Sequence, residues 1–286
     1  MSPSEEQIVH VSDTALMVAA CRAMETALPD GIVHDPFAER LAGTRGMAIA
    51  RALPFVDVMR FGVSVRSRFL DELVTYAVTN EAIRAVVSAG CGLDSRPWRL
   101  DLPADLRWIE VDFPAMLDYK AKVMAAETPK CRLEHLAADL NTPSQREAVF
   151  WAAGNSPGLI ITEGLLMYLP AENVEALAAE SVAMSGIRYW LLDVTSPELD
   201  RRMDMNSRQA IQNVRAENHL DGVQILEVLR RQGWTPIRHR SYTRDSMEVA
   251  AERIQAFAAA RAAAGAPEMP PPPADDPSGV YLLGRG

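Results

Sequence analysis

Cysteine is scarce in this chain and the few cysteines are scattered. Three occur in 286 residues, at Cys21, Cys91 and Cys131. Three cysteines make no disulfide framework, and none of them forms the Cys-x-x-Cys spacing of a metal site. The first residues also lack the basic and apolar segments of a signal peptide. We therefore expect a cytoplasmic protein without a metal.

Long apolar runs and an excess of positive charge are also missing. No apolar run reaches the length of about 18 residues that a membrane-spanning helix needs, so no membrane partner is expected. The 29 Lys and Arg against 38 Asp and Glu give a net charge of −9. Because nucleic-acid binding depends on clustered basic residues, DNA or RNA is excluded as the main partner. The oligomeric state stays open.

From residue 85 onward, patterns typical of strands alternate with patterns typical of helices. The strands are predicted at 85–89, 107–111, 132–137, 158–162, 188–194, 235–241 and 279–284. The helices are predicted at 114–127, 144–152, 171–184, 222–232 and 246–264. This alternation predicts an α/β fold with a mostly parallel, doubly wound sheet. Seven strands, the last able to insert antiparallel, match the Rossmann-like layout of Class I methyltransferases.

Three helical patterns precede the first strand. They cover residues 15–28 after the capping run Ser12-Asp13-Thr14, residues from Asp35-Pro36 to Gly46, and residues 63–78. We interpret residues 1–80 as an N-terminal helical cap over the edge or roof of the sheet, and residues 81–286 as the core. Residues 196–221 form a long polar segment after the fifth strand, which predicts a lid.

The run Ala89-Gly90-Cys91-Gly92-Leu93-Asp94 is the most informative motif. It follows a buried strand, and Asp112 comes about 20 residues later, the spacing of a nucleotide-binding unit with an acid for the ribose. Gly90 and Gly92 give the backbone close access to a ligand and reach positive φ cheaply. The third glycine of a dinucleotide fingerprint is missing. Asp94 would repel a pyrophosphate but accept hydrogen bonds from an amine, which favours S-adenosyl-L-methionine (SAM) over NAD.

Four acids follow successive predicted strands, namely Asp94, Asp112, Asp139 and Glu163. Because a ligand lies beyond the carboxyl ends of parallel strands, these side chains are candidate ligand contacts. Asp112 could accept hydrogen bonds from both ribose hydroxyls. Asp139, with the Leu140 backbone, could read an adenine edge. Taken singly, each acid is more often a turn or helix-cap residue than a ligand contact, but acids at four successive strand ends together favour a ligand site.

Other candidates have two interpretations each. Phe113 could pack on an adenine face or belong to the core. Arg66 and Arg68 could clamp a carboxylate, or lie on a solvated helix face with an Arg68–Asp71 ion pair. Tyr168, Glu163 and His219 are the candidates for a general base, should one be needed, and surface histidine is the alternative for His219.

Together these residues resemble the leucine carboxyl methyltransferase family, which includes bacterial O-methyltransferases of polyketide and peptide pathways. The resemblance runs through these motifs: Asp13-Thr14-Ala15, His34-Asp35-Pro36-Phe37, Arg66-Ser67-Arg68-Phe69-Leu70-Asp71, the glycine turn through Leu100, Glu110-Val111-Asp112-Phe113-Pro114, Lys120, Ala138-Asp139-Leu140 and Thr162-Glu163-Gly164 through Leu169. It implies that Arg66 grips the methionine carboxylate of SAM and that Gly90 and Gly92 line the methionine moiety. It further implies that Asp112 holds the ribose, that Asp139-Leu140 hold the adenine, and that Glu163 lies along the methionine end.

The sequence therefore predicts a SAM-dependent O-methyltransferase that releases S-adenosyl-L-homocysteine (SAH). The expected acceptor is a carboxylate of a small metabolite or a peptide C-terminus, which is ionised at neutral pH and needs no general base. No catalytic residue is certain, and Glu163 and Tyr168 are candidates for positioning. The alternatives are a phenolic or alcoholic hydroxyl acceptor, and a non-catalytic SAM-binding module for regulation or scaffolding. An NAD-dependent oxidoreductase is disfavoured by Asp94 and the missing glycine.

Overall fold

The structure is a computed structural model that describes residues 3–53, 56–183, 186–199, 219–263, 273 and 275–285. In this part of the chain a central seven-stranded sheet carries helices on both faces. The strands are β1 (Ala85–Ala89), β2 (Arg107–Asp112), β3 (Arg132–Ala137), β4 (Gly158–Thr162), β5 (Ile187–Val194), β6 (Trp234–Ser241) and β7 (Gly279–Arg285). All seven predicted strands are confirmed.

The sheet has the order β3-β2-β1-β4-β5-β7-β6. Strands β1 to β5 are parallel to one another, and β7 inserts antiparallel between β5 and β6. The strand order reverses between β1 and β4. From β1 the chain adds β2 and β3 on one side of the sheet, and from β4 it adds β5 on the other side. Such a switch point opens a crevice at the carboxyl ends of the strands. The predicted mostly parallel, doubly wound sheet is confirmed.

In the described part of the chain, the helices after β1 are the five predicted ones, close to their predicted bounds, and two short elements that the sequence did not predict. They are the short α4 (Arg96–Arg99), α5 (Pro114–Val123), α6 (Pro143–Ala153), α7 (Ala171–Ala183), α8 (Gly222–Arg231) and α9 (Ser246–Ala263), with a 3-10 turn at Leu166–Tyr168. Proline begins α5 and α6, where its missing N–H costs no hydrogen bond. Asp221 caps α8 by accepting from the Gln224 amide at 2.9 Å.

The N-terminal helices differ from their predicted bounds. Helix α1 (Pro3–Thr26) begins before the predicted cap, so Ser12-Asp13-Thr14 lies inside the helix and the capping interpretation is wrong. Helix α2 (Ala38–Ala52) continues past Gly46, with a kink at Gly43, whose φ is 57°. Helix α3 (Val56–Asn80) is longer than predicted at both ends.

Helix α3 belongs to the layered core. Its buried Phe69, Leu70 and Val74 pack in one cluster with Leu159 and Leu191 of the sheet. Helix α3 therefore covers one face of the sheet, while α6, α7 and α8 cover the other. The division of the chain at residue 80 stays a prediction. The predicted lid falls mainly on residues 200–218, outside the described residues.

Helices α1 and α2 pack on α3 and the loop after β1 through a separate cluster that includes Met17, Leu41, Met59, Trp98 and Met116. This arrangement places α1 beside the carboxyl ends of the strands. Within the described residues, no helix is both long and apolar enough to cross a membrane.

Two isoleucines in strands differ in burial, so we expect their substitution by alanine to lower the free energy of unfolding by different amounts. Ile160 in β4 is fully buried, whereas Ile237 in β6 is 48% exposed. We expect Ile160→Ala to lower the free energy of unfolding by about 2–5 kcal/mol through lost burial and a cavity. The matched Ile237→Ala should cost less than about 1 kcal/mol, the range of strand propensity. Urea denaturation of both variants measures this, and equal losses would contradict the packing.

Candidate functional site

A cavity of about 340 Å³ lies at the carboxyl ends of the strands, at the point where the strand order reverses. The structure brings all of the predicted contact residues together along its wall. They are Arg66, Gly90, Gly92, Asp94, Asp112, Phe113, Asp139, Leu140, Glu163 and Tyr168. Residues from α1, α3 and the start of α8 complete the lining. Their individual roles toward a ligand stay predictions.

The turn after β1 has the backbone that its glycines predicted. Gly90 and Gly92 have φ of 64° and 45°, a region that side chains rarely adopt. A Cβ on Gly90 would lie 2.9 Å from Leu165 Cδ1. The turn therefore needs glycine for its conformation, whereas the Leu165 side chain would only have to shift to admit a Cβ.

Asp112, at the end of β2, binds this turn through a backbone amide. Its Oδ2 accepts from the Gly92 amide and its Oδ1 from the Phe113 amide, each at 2.7 Å. Burial raises the pKa of Asp112, although the two amides favour the ionised form. Each carboxylate oxygen keeps a second acceptor position, so Asp112 can still bind two donors from the cavity.

A buried ion pair lies behind Asp112. Lys120 Nζ of α5 contacts Glu110 Oε1 of β2 at 2.6 Å, and both side chains are fully buried. Burial alone would lower the pKa of Lys120, but the Glu110 carboxylate holds it above its ordinary value. The pair fixes α5 against β2 and keeps a positive charge near Cys91 and Asp94.

The centre of the site is the Arg96 cluster, which we define as Arg96, Asp71, Asp94 and Glu163. Arg96 is 2% exposed. Its Nε donates to Asp71 at 2.7 Å, and its Nη1 lies 3.1 Å from Asp94 Oδ2 and 2.8 Å from Glu163 Oε2. One guanidinium therefore joins α3, the turn after β1 and the loop after β4.

The Arg96 cluster overturns one ion pair that the sequence suggested. Asp71 pairs with Arg96 and, through two further contacts, with Arg99, so it faces inward. Arg68 pairs instead with Glu72, one helical turn along, at 2.7 Å. The Arg68–Asp71 interpretation is wrong because Asp71 lies on the buried side of α3. Arg68 is exposed and lies outside the cavity lining.

Neighbouring cations keep Asp94 and Glu163 ionised at the cavity. Burial would raise the pKa of Asp94, but Arg96 and then Lys120 lower it to about 2. Burial opposes ionisation of Glu163 too, yet Arg96 and Arg66 hold its pKa below the ordinary value. Glu163 therefore stays ionised at neutral pH and is a poor proton acceptor.

Arg66 bridges two acids. Its Nε lies 3.1 Å from Glu163 Oε1 and its Nη1 lies 3.4 Å from Asp193 Oδ2. Asp193 at the end of β5 also accepts from the Gly164 amide at 2.6 Å. Sequence reasoning missed Asp193, although it ends the apolar run Leu191-Leu192-Asp193 as Asp112 ends β2, and that signal could have identified it.

The remaining candidates are Asp139, Tyr168 and His219. Asp139 Oδ1 accepts from the Asn141 amide at 2.9 Å, and the Asp139 amide donates to Gln145 Oε1 at 2.6 Å. Tyr168 lies half-buried on the 3-10 turn. His219 is exposed and does not line the cavity, and its role as a base stays a prediction.

Asp35, in the motif His34-Asp35-Pro36-Phe37, connects the N-terminal helices to the glycine turn. Its Oδ2 accepts from Arg22 Nε at 2.9 Å and from Ser95 Oγ at 2.7 Å. Arg22 Nη2 also donates to the Leu93 carbonyl at 2.7 Å. This buried assembly holds α1 against the turn, and it explains why His34-Asp35-Pro36-Phe37 accompanies the cavity motifs.

A family model described as leucine carboxyl methyltransferase matches residues 15–182, more than half of the chain. The chain belongs to the leucine carboxyl methyltransferase family. The match covers the Asp35 assembly, the Arg96 cluster and every predicted contact residue of the cavity. It ends before β5 and therefore before Asp193.

Two similar bacterial relatives carry the provisional name of S-adenosyl-L-methionine-dependent methyltransferase. One, from Streptomyces avermitilis, is 35% identical over 183 residues, which are 60% of this chain and 64% of the relative. Another, from Mycolicibacterium smegmatis, is 35% identical over 192 residues, which are 61% of this chain and 63% of the relative. The matches thus span less than two thirds of each relative.

Solved structures share the fold. A DUF574 family protein from Streptomyces avermitilis has a TM-score of 0.59 at 12% identity and covers 94% of this chain and 97% of its own. A protein from Thermobifida fusca, provisionally named a methyltransferase, has a TM-score of 0.54 at 15% identity, covering 95% and 93%. At these identities the likeness shows the fold alone, and the Class I layout is confirmed.

Removal of the Arg96 guanidinium should leave the three carboxylates of the Arg96 cluster without their shared cation. We expect Arg96→Met to lower the free energy of unfolding at pH 7 by about 3–5 kcal/mol, because it leaves buried carboxylates unpaired. The matched Arg230→Met breaks only an exposed pair with Glu227 and should cost less than about 1 kcal/mol. Urea denaturation of both variants measures the difference.

The same variant should show a defined pH dependence. The pKa of Asp94 lies at about 2 in the folded protein against an ordinary 3.8, so its ionised form stabilises the fold above pH 3.8. That stabilisation is lost as the pH falls through about 2. The stability gap between wild type and Arg96→Met should therefore narrow between pH 4 and pH 2. A constant gap would argue against this origin.

Proposed function

We propose that this protein is a SAM-dependent O-methyltransferase acting on a carboxylate of a small metabolite or a peptide C-terminus. The observation that supports SAM is the acid-lined cavity over a turn with two positive-φ glycines. SAM carries a sulfonium, an ammonium and one carboxylate, so its net charge is positive. A cavity wall with Asp94, Asp112, Glu163 and Asp193 fits such a ligand and disfavours the pyrophosphate of NAD.

The described residues fit the parts of SAM in the following way. Asp112 would hold the ribose, because each of its oxygens accepts one backbone amide and keeps a second acceptor position for a ribose hydroxyl. Asp139 and Leu140 would contact the adenine, with Phe113 beside them. Gly90 and Gly92 would line the methionine chain. Arg66 would bind the methionine carboxylate, because it is a cation in the cavity lining beside the glycine turn.

The protonation chemistry of the cavity supports an acceptor that needs no general base. When bound, SAM supplies an electrophilic methyl group on its sulfonium. A carboxylate acceptor is ionised at neutral pH and needs no proton removed. Glu163 is held ionised by two arginines, and His219 does not line the cavity. The described residues therefore supply positioning and exclusion of water rather than a strong base.

An apolar part of the cavity wall supports the exclusion of water. It comes from α1, α3, the loop after β4 and α8, and includes Met17, Met59, Val63, Met167 and Ile225. Methionine side chains adapt to ligands of varied shape. This wall suits an acceptor that is largely apolar around its reacting carboxylate.

Affinity for SAM tests the cofactor assignment. We expect Asp112→Asn to weaken SAM binding about 10–100-fold, because it removes a charged acceptor from the ribose hydroxyls. The matched Asp105→Asn changes an exposed aspartate before β2 and should bind like wild type. Calorimetry with SAM and with NAD measures both. Binding of NAD without binding of SAM would overturn the proposal, and wild-type affinity in Asp112→Asn would remove Asp112 from the ribose site.

The pH profile tests the acceptor class. With carboxylic acids the kcat/KM should be nearly flat between about pH 6 and pH 9, because such acceptors are already ionised. With phenols, whose pKa is about 10, it should rise about tenfold per pH unit. Transfer of labelled methyl to both acceptor sets measures this, and base-labile product identifies an ester. Transfer only to phenols would favour a hydroxyl acceptor, and SAM binding without transfer would favour a non-catalytic module.

A further inference from the structure

Asp193 is a buried carboxylate to which neither the family resemblance nor the sequence assigned a role. It ends β5, lines the cavity and is 5% exposed. Burying a charged carboxylate is costly unless it is paired and hydrogen-bonded. Both of its oxygens are engaged, one by the Gly164 amide at 2.6 Å and the other by Arg66 Nη1 at 3.4 Å.

These contacts place Asp193 where Arg66 meets the loop after β4. Gly164 has a φ of 58°, and a Cβ there would lie 3.5 Å from Arg66 Nη1. Glu163 Oε1 lies 3.1 Å from Arg66 Nε, an ion-pair contact without hydrogen-bond geometry. Arg66 therefore lies between two acids, with Glu163 beside its Nε and Asp193 accepting a hydrogen bond from its Nη1.

The charges around Arg66 show why one acid is not sufficient. Glu163 is shared, since its second oxygen contacts Arg96 at 2.8 Å. Without Asp193, Arg66 would compete with Arg96 for Glu163 and could rotate about its Nε contact. A second carboxylate on a strand restricts this rotation, because the guanidinium then has acceptors in two directions and its donors are fixed in one plane.

We propose that Asp193 is a positioning residue that orients Arg66 toward the carboxylate of the bound cofactor. This inference rests on the proposed function, in which Arg66 binds that carboxylate. Asp193 acts through Arg66 and the Gly164 amide, and it makes no contact with the reacting atoms in this account. Its effect should therefore depend on the presence of both Arg66 and a ligand carboxylate.

The test measures affinities of purified full-length protein for three ligands by calorimetry. SAM and SAH carry the carboxylate, and 5′-methylthioadenosine lacks it while keeping the nucleoside. Asp193→Asn retains an oxygen for the Gly164 amide but removes the charge that faces Arg66. We expect it to weaken SAM and SAH about tenfold, the effect of one hydrogen bond to a charged group, and to leave methylthioadenosine unchanged.

A double-mutant cycle separates positioning from general damage to the fold. We expect Arg66→Gln to weaken SAM binding, and Asp193→Asn to add nothing in the Arg66→Gln background, because no guanidinium is left to orient. The matched control is Asp276→Asn. Asp276 is also buried and accepts from a backbone amide, at Ser278, but it does not line the cavity and should bind like wild type.

The outcomes distinguish this inference from the proposed function. If wild type binds methylthioadenosine and SAM but Asp193→Asn binds SAM normally, or if the two substitutions add independently, the positioning role is wrong. Equal weakening of all three ligands in Asp193→Asn would assign Asp193 to the integrity of the cavity instead, and would also overturn it. If wild type binds none of them, the proposed function itself fails.

Discussion

The buried guanidinium of Arg96 is the interaction on which the site depends. It joins Asp71 of α3, Asp94 of the glycine turn and Glu163 of the loop after β4, which are far apart in the chain. Charges of one sign could not be buried together at this density, so the arginine is what allows three acids to meet there. The shape of the cavity and the charge of its wall both follow from that pairing.

Around this cluster, each wall of the cavity is held by its own buried polar contact. Asp35 holds α1 to the turn through Arg22 and Ser95, and Lys120 holds α5 to β2 through Glu110. Asp112 receives the two amides that define the turn. The acids at the cavity are therefore fixed before any ligand binds, a preorganisation that lowers the cost of ordering on binding.

Much of the fold follows from local pattern. Apolar runs such as Leu159-Ile160-Ile161 predict buried strands, and the acids just after them predict a ligand edge, because parallel strands bring their carboxyl ends together. The bounds of α1 were missed since Ser12-Asp13-Thr14 resembles a cap wherever it occurs. The inward direction of Asp71 was missed because helical spacing pairs it equally well with Arg68, and only packing against the sheet buries that face of α3.

The sequence by itself determined the seven strands, the glycine turn and the presence of acids at four strand ends, because these depend on period, glycine and chain order. Only the tertiary structure decided which arginine neutralises which acid. Arg96 with Asp71 and Arg66 with Asp193 are separated by 25 and 127 positions, and no local pattern encodes such pairs. The pairing also decided that Glu163 stays ionised, because its pKa depends on the two guanidinium groups that folding brings beside it.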